Sequence, residues 1–206
     1  MFERIGFPII ISGPSAVGKG TVVDRLVERN PEFKLSVSVT TRPKRPNEIE
    51  GKSYFFVSDE EFQSLIQRDK LLEYAKVHGH YYGTPCDFVE EAICEGNNVI
   101  LEIDVQGATS LINKIQNGVF IFLLPPTMEA LKERIEARGV NGQEDMENRI
   151  EIGKQEIDIL EEYDYVVINS DVDKAIEDIE TILKAEALKV ERNKGIGKYL
   201  KNGGKL

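Results

Sequence analysis

Four stretches of the chain are apolar at nearly every position: Pro8–Ser12 ("PIIIS"), 98–104 ("NVILEID"), Val119–Leu124 ("VFIFLL") and 164–168 ("DYVVI"). Short runs without polar alternation predict parallel strands covered on both faces. Between them, helical spacing predicts helices over Lys19–Arg29, 87–95 and 127–137, the last capped by Thr127 after two prolines. A longer helix places Val172, Ile176, Ile179, Leu183 and Val190 on one face and opens at Ser170, with Asp173 three residues on. Strand and helix in alternation predict an α/β fold, a doubly wound parallel sheet flanked by helices.

Three segments depart from that rhythm. Residues 35–84 carry strand-like stretches ("LSVSVT", "SYFFV", "EYAKVHGHYYGT") around one short helix capped by Ser58 with Glu61, which predicts a mixed α/β lobe inserted on the sheet. Residues 138–153 are polar and punctuated by glycine, as a mobile flap would be. The tail from Arg192 ("RNKGIGKYLKNGGKL") is basic and glycine-rich and is expected to fray.

Composition narrows the setting. The 206 residues suffice for one substantial core, and a net charge of −10 disfavours nucleic acid and anionic membranes, which would repel the chain. An anionic ligand must therefore be held by locally clustered cations. Two cysteines in no metal-ligand spacing predict reduced thiols and a cytoplasmic protein, and no run is long enough to span a bilayer or serve as a signal peptide.

The run "SGPSAVGKGT" follows the first strand and opens the first helix. Gly13, four residues, Gly18 and Lys19 give the phosphate-loop spacing in its required strand-to-helix context. Glycines let backbone amides close around phosphate oxygens, the helix N-terminus adds its positive dipole end, and Lys19 reaches the β- and γ-phosphates. The alternative is a glycine turn that merely joins strand to helix. Gly20 follows Lys19 where many such loops carry the hydroxyl that ligates Mg²⁺, and the hydroxyl comes one step later at Thr21. Farther on, "ILEID" puts Glu102 and Asp104 on one side of a strand end, where Mg²⁺ or its waters would sit.

The inserted lobe concentrates cations that the rest of this acidic chain lacks. Arg42, Lys44 and Arg45 precede Tyr54, and guanidinium groups bind phosphate bidentately. A run of this kind is otherwise a solvated face. His78 and His80 alternate on a strand with no further ligand beside them and are read as surface, not as a metal site. Cys86 opens a helix where its pKa could be lowered, yet is read as structural. Phe55, Phe56, Phe120 and Phe122 are read as core.

"SGPSAVGKGT", "SVSVTTRPKRPNEIEGKSYFF", "LLEYAKVHGHYYGTP", "VILEIDVQG" and "IFLLPP" together resemble bacterial guanylate kinases, collinearly from about residue 8 to 190. The resemblance implies one domain over 1–206: a P-loop NTPase core (1–34, 86–126 and 154–190), a GMP-binding lobe (35–85), a lid (127–153) and a flexible tail (191–206). It implies transfer of the γ-phosphoryl group of ATP to GMP, and to dGMP, in purine metabolism. ATP would lie on Gly13, Pro14, Ser15, Ala16, Val17, Gly18, Lys19, Gly20 and Thr21, with Arg134 and Asn169 also on the ATP side. Arg42, Arg45, Tyr54 and Tyr82 would hold the GMP phosphate, with Glu48 supporting the arginines. Glu73 would accept from guanine N1–H and the exocyclic amine, while Ser38 and Thr84 face O6; adenine lacks that donor pair and would strand a buried carboxylate. Glu102 and Asp104 would lie between the substrates. Arg138 and Arg149, with Arg134, match lid arginines that close over the transferring group, so that Lys19, Arg42, Asp104, Arg138 and Arg149 form the catalytic set.

Mg²⁺ would arrive with ATP, held largely through water, with no protein metal ligand assigned. Besides ATP and GMP no partner is expected; a homodimer fits the sequence as well as a monomer does. Two positions depart from the family pattern. Ala16 stands where glycine is common and costs about 1 kcal/mol if the backbone there needs positive φ, and Glu102 stands where some members have aspartate. Two rival readings remain. A guanylate-kinase-like module that only binds phosphopeptides would be expected to have a damaged loop or missing lid arginines. A sibling kinase acting on another phosphorylated substrate, such as a ribose bisphosphate, would not need Ser38, Glu73 and Thr84.

Overall fold

A computed structural model describes residues 5–77, 79–137 and 143–205. In chain order the elements are β1 (Pro8–Ser12), α1 (Lys19–Arg29), β2 (Lys34–Leu35), β3 (Val39–Thr40), β4 (Phe55–Phe56), α2 (Asp59–Gln67), β5 (Leu71–Val77), β6 (His80–Pro85), α3 (Cys86–Cys94), β7 (Val99–Glu102), α4 (Val105–Ile112), β8 (Val119–Leu124), α5 (Met128–Ala137), α6 (Gln143–Ile157), β9 (Tyr165–Ile168), α7 (Val172–Ala187) and α8 (Ile196–Lys201). Among them no helix is long and apolar enough to cross a membrane.

Five strands form one sheet in the order β2-β7-β1-β8-β9, every pair parallel. Its apolar runs alternate between two cores. Ile9, Ile11, Ile100, Val119, Ile121 and Leu123 pack with α1 and α7 on one face. Ile10, Val99, Leu101 and Phe120 pack with α3 and α4 on the other, which is why these strands carry no polar period. Because all strands run the same way, the ends of β1, β7, β8 and β9 arrive at a single edge, where an open α/β sheet places its ligands. The four-stranded second sheet, β4-β3-β6-β5, is mixed: β3 with β4 is parallel, the other pairs antiparallel. With α2 it fills the segment expected to form an inserted lobe, and α2 opens with the expected capping box of Ser58 and Glu61.

Several expectations need correction. The run at 164–168 forms an edge strand, last in the sheet order: Val167 is buried, but Val166 and Ile168 are 50% and 54% exposed. "LSVSVT" is not one strand; Leu35 ends β2 in the first sheet and Val39 begins β3 in the second, so the chain changes sheets between them. The polar stretch expected as a flap is helical where described, from Gln143 onward, since Glu, Gln, Met and Arg are good helix formers and Met146 and Ile150, four apart, pack toward Leu131 and Ile135. In the last helix Asp171, not Ser170, is the cap, and Val190 lies beyond the end, 85% exposed. The tail is tied down at its start. Arg192 donates to buried Glu186 at 2.7 Å and to the Asn117 carbonyl, and stacks 3.9 Å over the Phe7 ring, with α8 following.

Candidate active site

The phosphate-loop stretch leaves β1 through three residues at positive φ. Gly13 has φ 146, and a Cβ there would sit 2.3 Å from the Leu123 carbonyl oxygen, so only glycine passes β8. Ala16 adopts φ 66, so the positive φ considered for this position is present, with an alanine in it. Gly18, φ 103, caps α1. A glycine cap brings no side-chain acceptor of its own to the first-turn amides, the arrangement in which a helix N-terminus binds an anion. Lys19 Nζ donates to the Gly13 and Pro14 carbonyls at 2.6 and 3.3 Å, lying back along the loop. Gly20 continues the turn and Thr21 is exposed.

The back of the loop is gripped through one atom. The Val17 carbonyl accepts from Arg134 Nη1 and from Asn169 Nδ2, each at 2.8 Å, while Arg134 Nη2 reaches the Asn169 carbonyl at 2.8 Å. Arg134 comes from α5 and Asn169 from the end of β9, so loop, helix and strand meet here. Beside the loop, Glu102 ends β7 with its carboxylate against Gly20; a Cβ there would lie 3.5 Å from Oε1. Asp104 caps α4 by accepting from the Gly107 amide at 3.0 Å.

The lobe supplies the facing groups. Arg42 donates twice to Glu48, at 3.1 and 2.6 Å, and through Nε to Tyr82 Oη at 3.2 Å, and it lies over the Tyr54 and Phe56 rings. The carboxylate thus fixes the guanidinium plane. Glu48 also accepts from the Arg45 amide at 2.8 Å, whereas the Arg45 side chain is exposed. Tyr54 packs edge-on to Tyr82, and burial, with Glu102 nearby, pushes its phenol up to about 12. Glu73 on β5 is 5% exposed and accepts from Thr84 Oγ1 at 2.6 Å. Burial raises its carboxyl to about 7, against the smaller lowering by Thr84. Its other oxygen rests on α4: a Cβ at Gly107 would come within 2.4 Å of Oε2. Ser38 is half-buried before β3, its carbonyl accepting from the Phe55 amide. Arg149 is half-buried on α6, and Arg138 lies outside the described residues.

The family model "Guanylate kinase" matches residues 6–186. The chain belongs to the guanylate kinase family. A guanylate kinase of Caldanaerobacter subterraneus subsp. tengcongensis is 50% identical over 97% of this chain and 96% of its own, and that of Oceanobacillus iheyensis 46% over 93% of each. The crystal structure of guanylate kinase from Anaplasma phagocytophilum superposes with a TM-score of 0.83 at 35% identity, covering 98% of this chain and 96% of that one.

Within this guanylate kinase fold, two readings of non-site residues change. Phe55 is 42% exposed on the edge strand β4 and is not core, unlike Phe120 and Phe122. The Cys86 thiol is pushed up, first by burial and then by its bond to Asp87, not lowered by its helix. His80 is a half-buried β6 residue, and His78 lies outside the described residues. Two residues at the guanylate kinase site escaped sequence reasoning. Gly107 carries no signal of its own along the chain, and only the fold brings Glu73 against it. Glu156 on α6 accepts from the Ser15 amide at 3.3 Å; its signal, seven residues from Arg149, was unreadable without a helix there.

Proposed function

We propose that this chain transfers the γ-phosphoryl group of MgATP to GMP, giving ADP and GDP, with dGMP as a second acceptor, in cytoplasmic purine metabolism. The observation that carries the reading is Glu73: a buried carboxyl, bonded by Thr84 on one oxygen, in the lobe beside the phosphate loop. Guanine offers it N1–H and the exocyclic amine, with Ser38 and Thr84 toward O6. Adenine offers no such pair, and leaving the carboxyl unmatched costs about 1–3 kcal/mol. Arg42, set by Glu48, acts with Arg45, Tyr54 and Tyr82 on the GMP phosphate.

A GMP phosphate oxygen attacks the γ-phosphorus in line while the bond to the β–γ bridging oxygen breaks, so no covalent enzyme intermediate forms. Residues Gly13 to Thr21 bind the ATP phosphates, with Lys19 turning from its loop carbonyls to the β- and γ-oxygens. Arg134 and Asn169 stand at the ATP side. Arg138 and Arg149 neutralise charge on the moving group, where one arginine is worth about 10³–10⁵ in rate. The donor set fits a hydrated cation: Glu102 lies against Gly20, which carries no hydroxyl, and Asp104 opens α4, so both would hold Mg²⁺ through its waters. Mg²⁺ bound with ATP offsets phosphate charge in the transition state.

Coupled ADP release with ATP, Mg²⁺ and each of GMP, dGMP, AMP, CMP and UMP tests this. GMP turnover well above AMP is expected. No turnover with any monophosphate, in protein that binds ATP, overturns the reading and favours the sibling kinase or the phosphopeptide-binding module.

A further inference from the structure

Helix α6 lies on the phosphate loop along one face. Arg149, Gly153 and Glu156 recur at spacings of four and three, which puts them in one line. Gly153 marks the close approach: a Cβ there would sit 3.2 Å from Leu131 and 3.9 Å from Pro14. Met146 and Ile150 pack onto the small apolar cluster of Ala16, Leu131 and Ile135. Such apolar contacts hold the helix down but are non-directional, so they leave its rotation and slide loosely specified.

Glu156 supplies a directional contact. Its Oε2 accepts from the Ser15 amide at 3.3 Å, across 141 positions of chain. Burial raises its carboxyl above the ordinary range, while Lys19 pulls it the other way and Asp104 adds to the rise. Lys19 and Asp104 therefore both act on the Glu156 carboxyl. Arg149 lies two turns away on the same face, about 10 Å along the axis.

We propose that Glu156 is a positioning residue, whose hydrogen bond to the Ser15 amide fixes the rotation of α6 on the phosphate loop and so sets where Arg149 meets the transferring phosphoryl group. The inference rests on the phosphoryl-transfer reading above. A misplacement of about 1 Å costs on the order of 10² in rate, so loss of this contact acts on the chemical step and leaves GMP capture alone.

Three variants separate reach from charge. Glu156→Ala removes the acceptor, Glu156→Asp keeps the charge but falls short of Ser15, and Glu156→Gln keeps an acceptor oxygen without the charge. The expected result is kcat at least about tenfold lower in the Ala and Asp variants, KM for GMP within about twofold of wild type, and kcat within about threefold of wild type in Gln. Unchanged kcat in Glu156→Asp, or an equal loss in Glu156→Gln, overturns the proposal; this pair decides even if Glu156→Ala does not fold. If the wild-type protein does not phosphorylate GMP, the phosphoryl-transfer reading fails by itself. The contact is then judged by hydrogen exchange at the Ser15 amide, which Glu156→Asp must accelerate; unchanged exchange overturns the contact.

Discussion

In the five-stranded sheet β1 buries every residue from Pro8 to Ser12, while in the four-stranded sheet β4 leaves Phe55 42% exposed and β5 buries Glu73 beside Ala75. The first sheet is held by apolar side chains alternating between two cores, and its contribution to the site is geometric: strand ends on one edge and a loop bent through Gly13, Ala16 and Gly18. The second packs around the buried Val39, Phe62 and Ala75 and also carries polar pairs that are themselves site groups, Arg42 with Glu48 and Glu73 with Thr84. A backbone constraint does not titrate; a buried carboxyl does. The core should therefore break by steric change at any pH, and the lobe by changes in charge.

The largest effect is expected from Gly13→Ala. A Cβ 2.3 Å from the Leu123 carbonyl cannot be accommodated without moving the loop or β8. A loss of about 3 kcal/mol or more, with activity abolished, is expected in denaturant unfolding and turnover assays. A stable, active Gly13→Ala variant would remove the geometric half of the comparison.

Glu73 sharpens the other half. Its folded-state value of about 7 lies above the ordinary 4.5, so the native protein holds a proton that the unfolded chain has released. Its contribution to stability is full below about pH 4.5, declines as pH rises to about 7, and is flat above, a span of about 3 kcal/mol. Glu73→Gln should remove that slope, read as the difference in unfolding free energy between the two proteins from pH 4.5 to 8. In turnover, KM for GMP should fall as pH rises through about 7 in wild type and stay flat in the variant, which also loses preference for GMP over AMP. Parallel pH curves for the two proteins would mean that the lobe is not held through this carboxyl.

The smallest effect belongs to Ala16. At φ 66 alanine is strained where glycine is not, so Ala16→Gly should gain up to about 1 kcal/mol in chemical denaturation, independent of pH. A loss of stability would show that the Ala16 methyl, packed against Leu131 and Ile135, outweighs the strain.

By itself the sequence determined what local pattern encodes. Unbroken apolar runs specified β1 and β8 to the residue, the loop spacing placed the turn into α1, and Ser58 with Glu61 marked the start of α2, because each signal lies within a few positions along the chain. The resemblance named residues for the site without their surroundings. Tertiary structure alone decided which polar groups are buried and against what. It turned 164–168 into an edge strand, set Glu73 against Gly107, brought Arg134 to a carbonyl 117 positions away, and laid Glu156 on Ser15. None of these has a local signal, since burial and hydrogen-bond partners across a hundred residues depend on how elements pack and not on the period within any one of them.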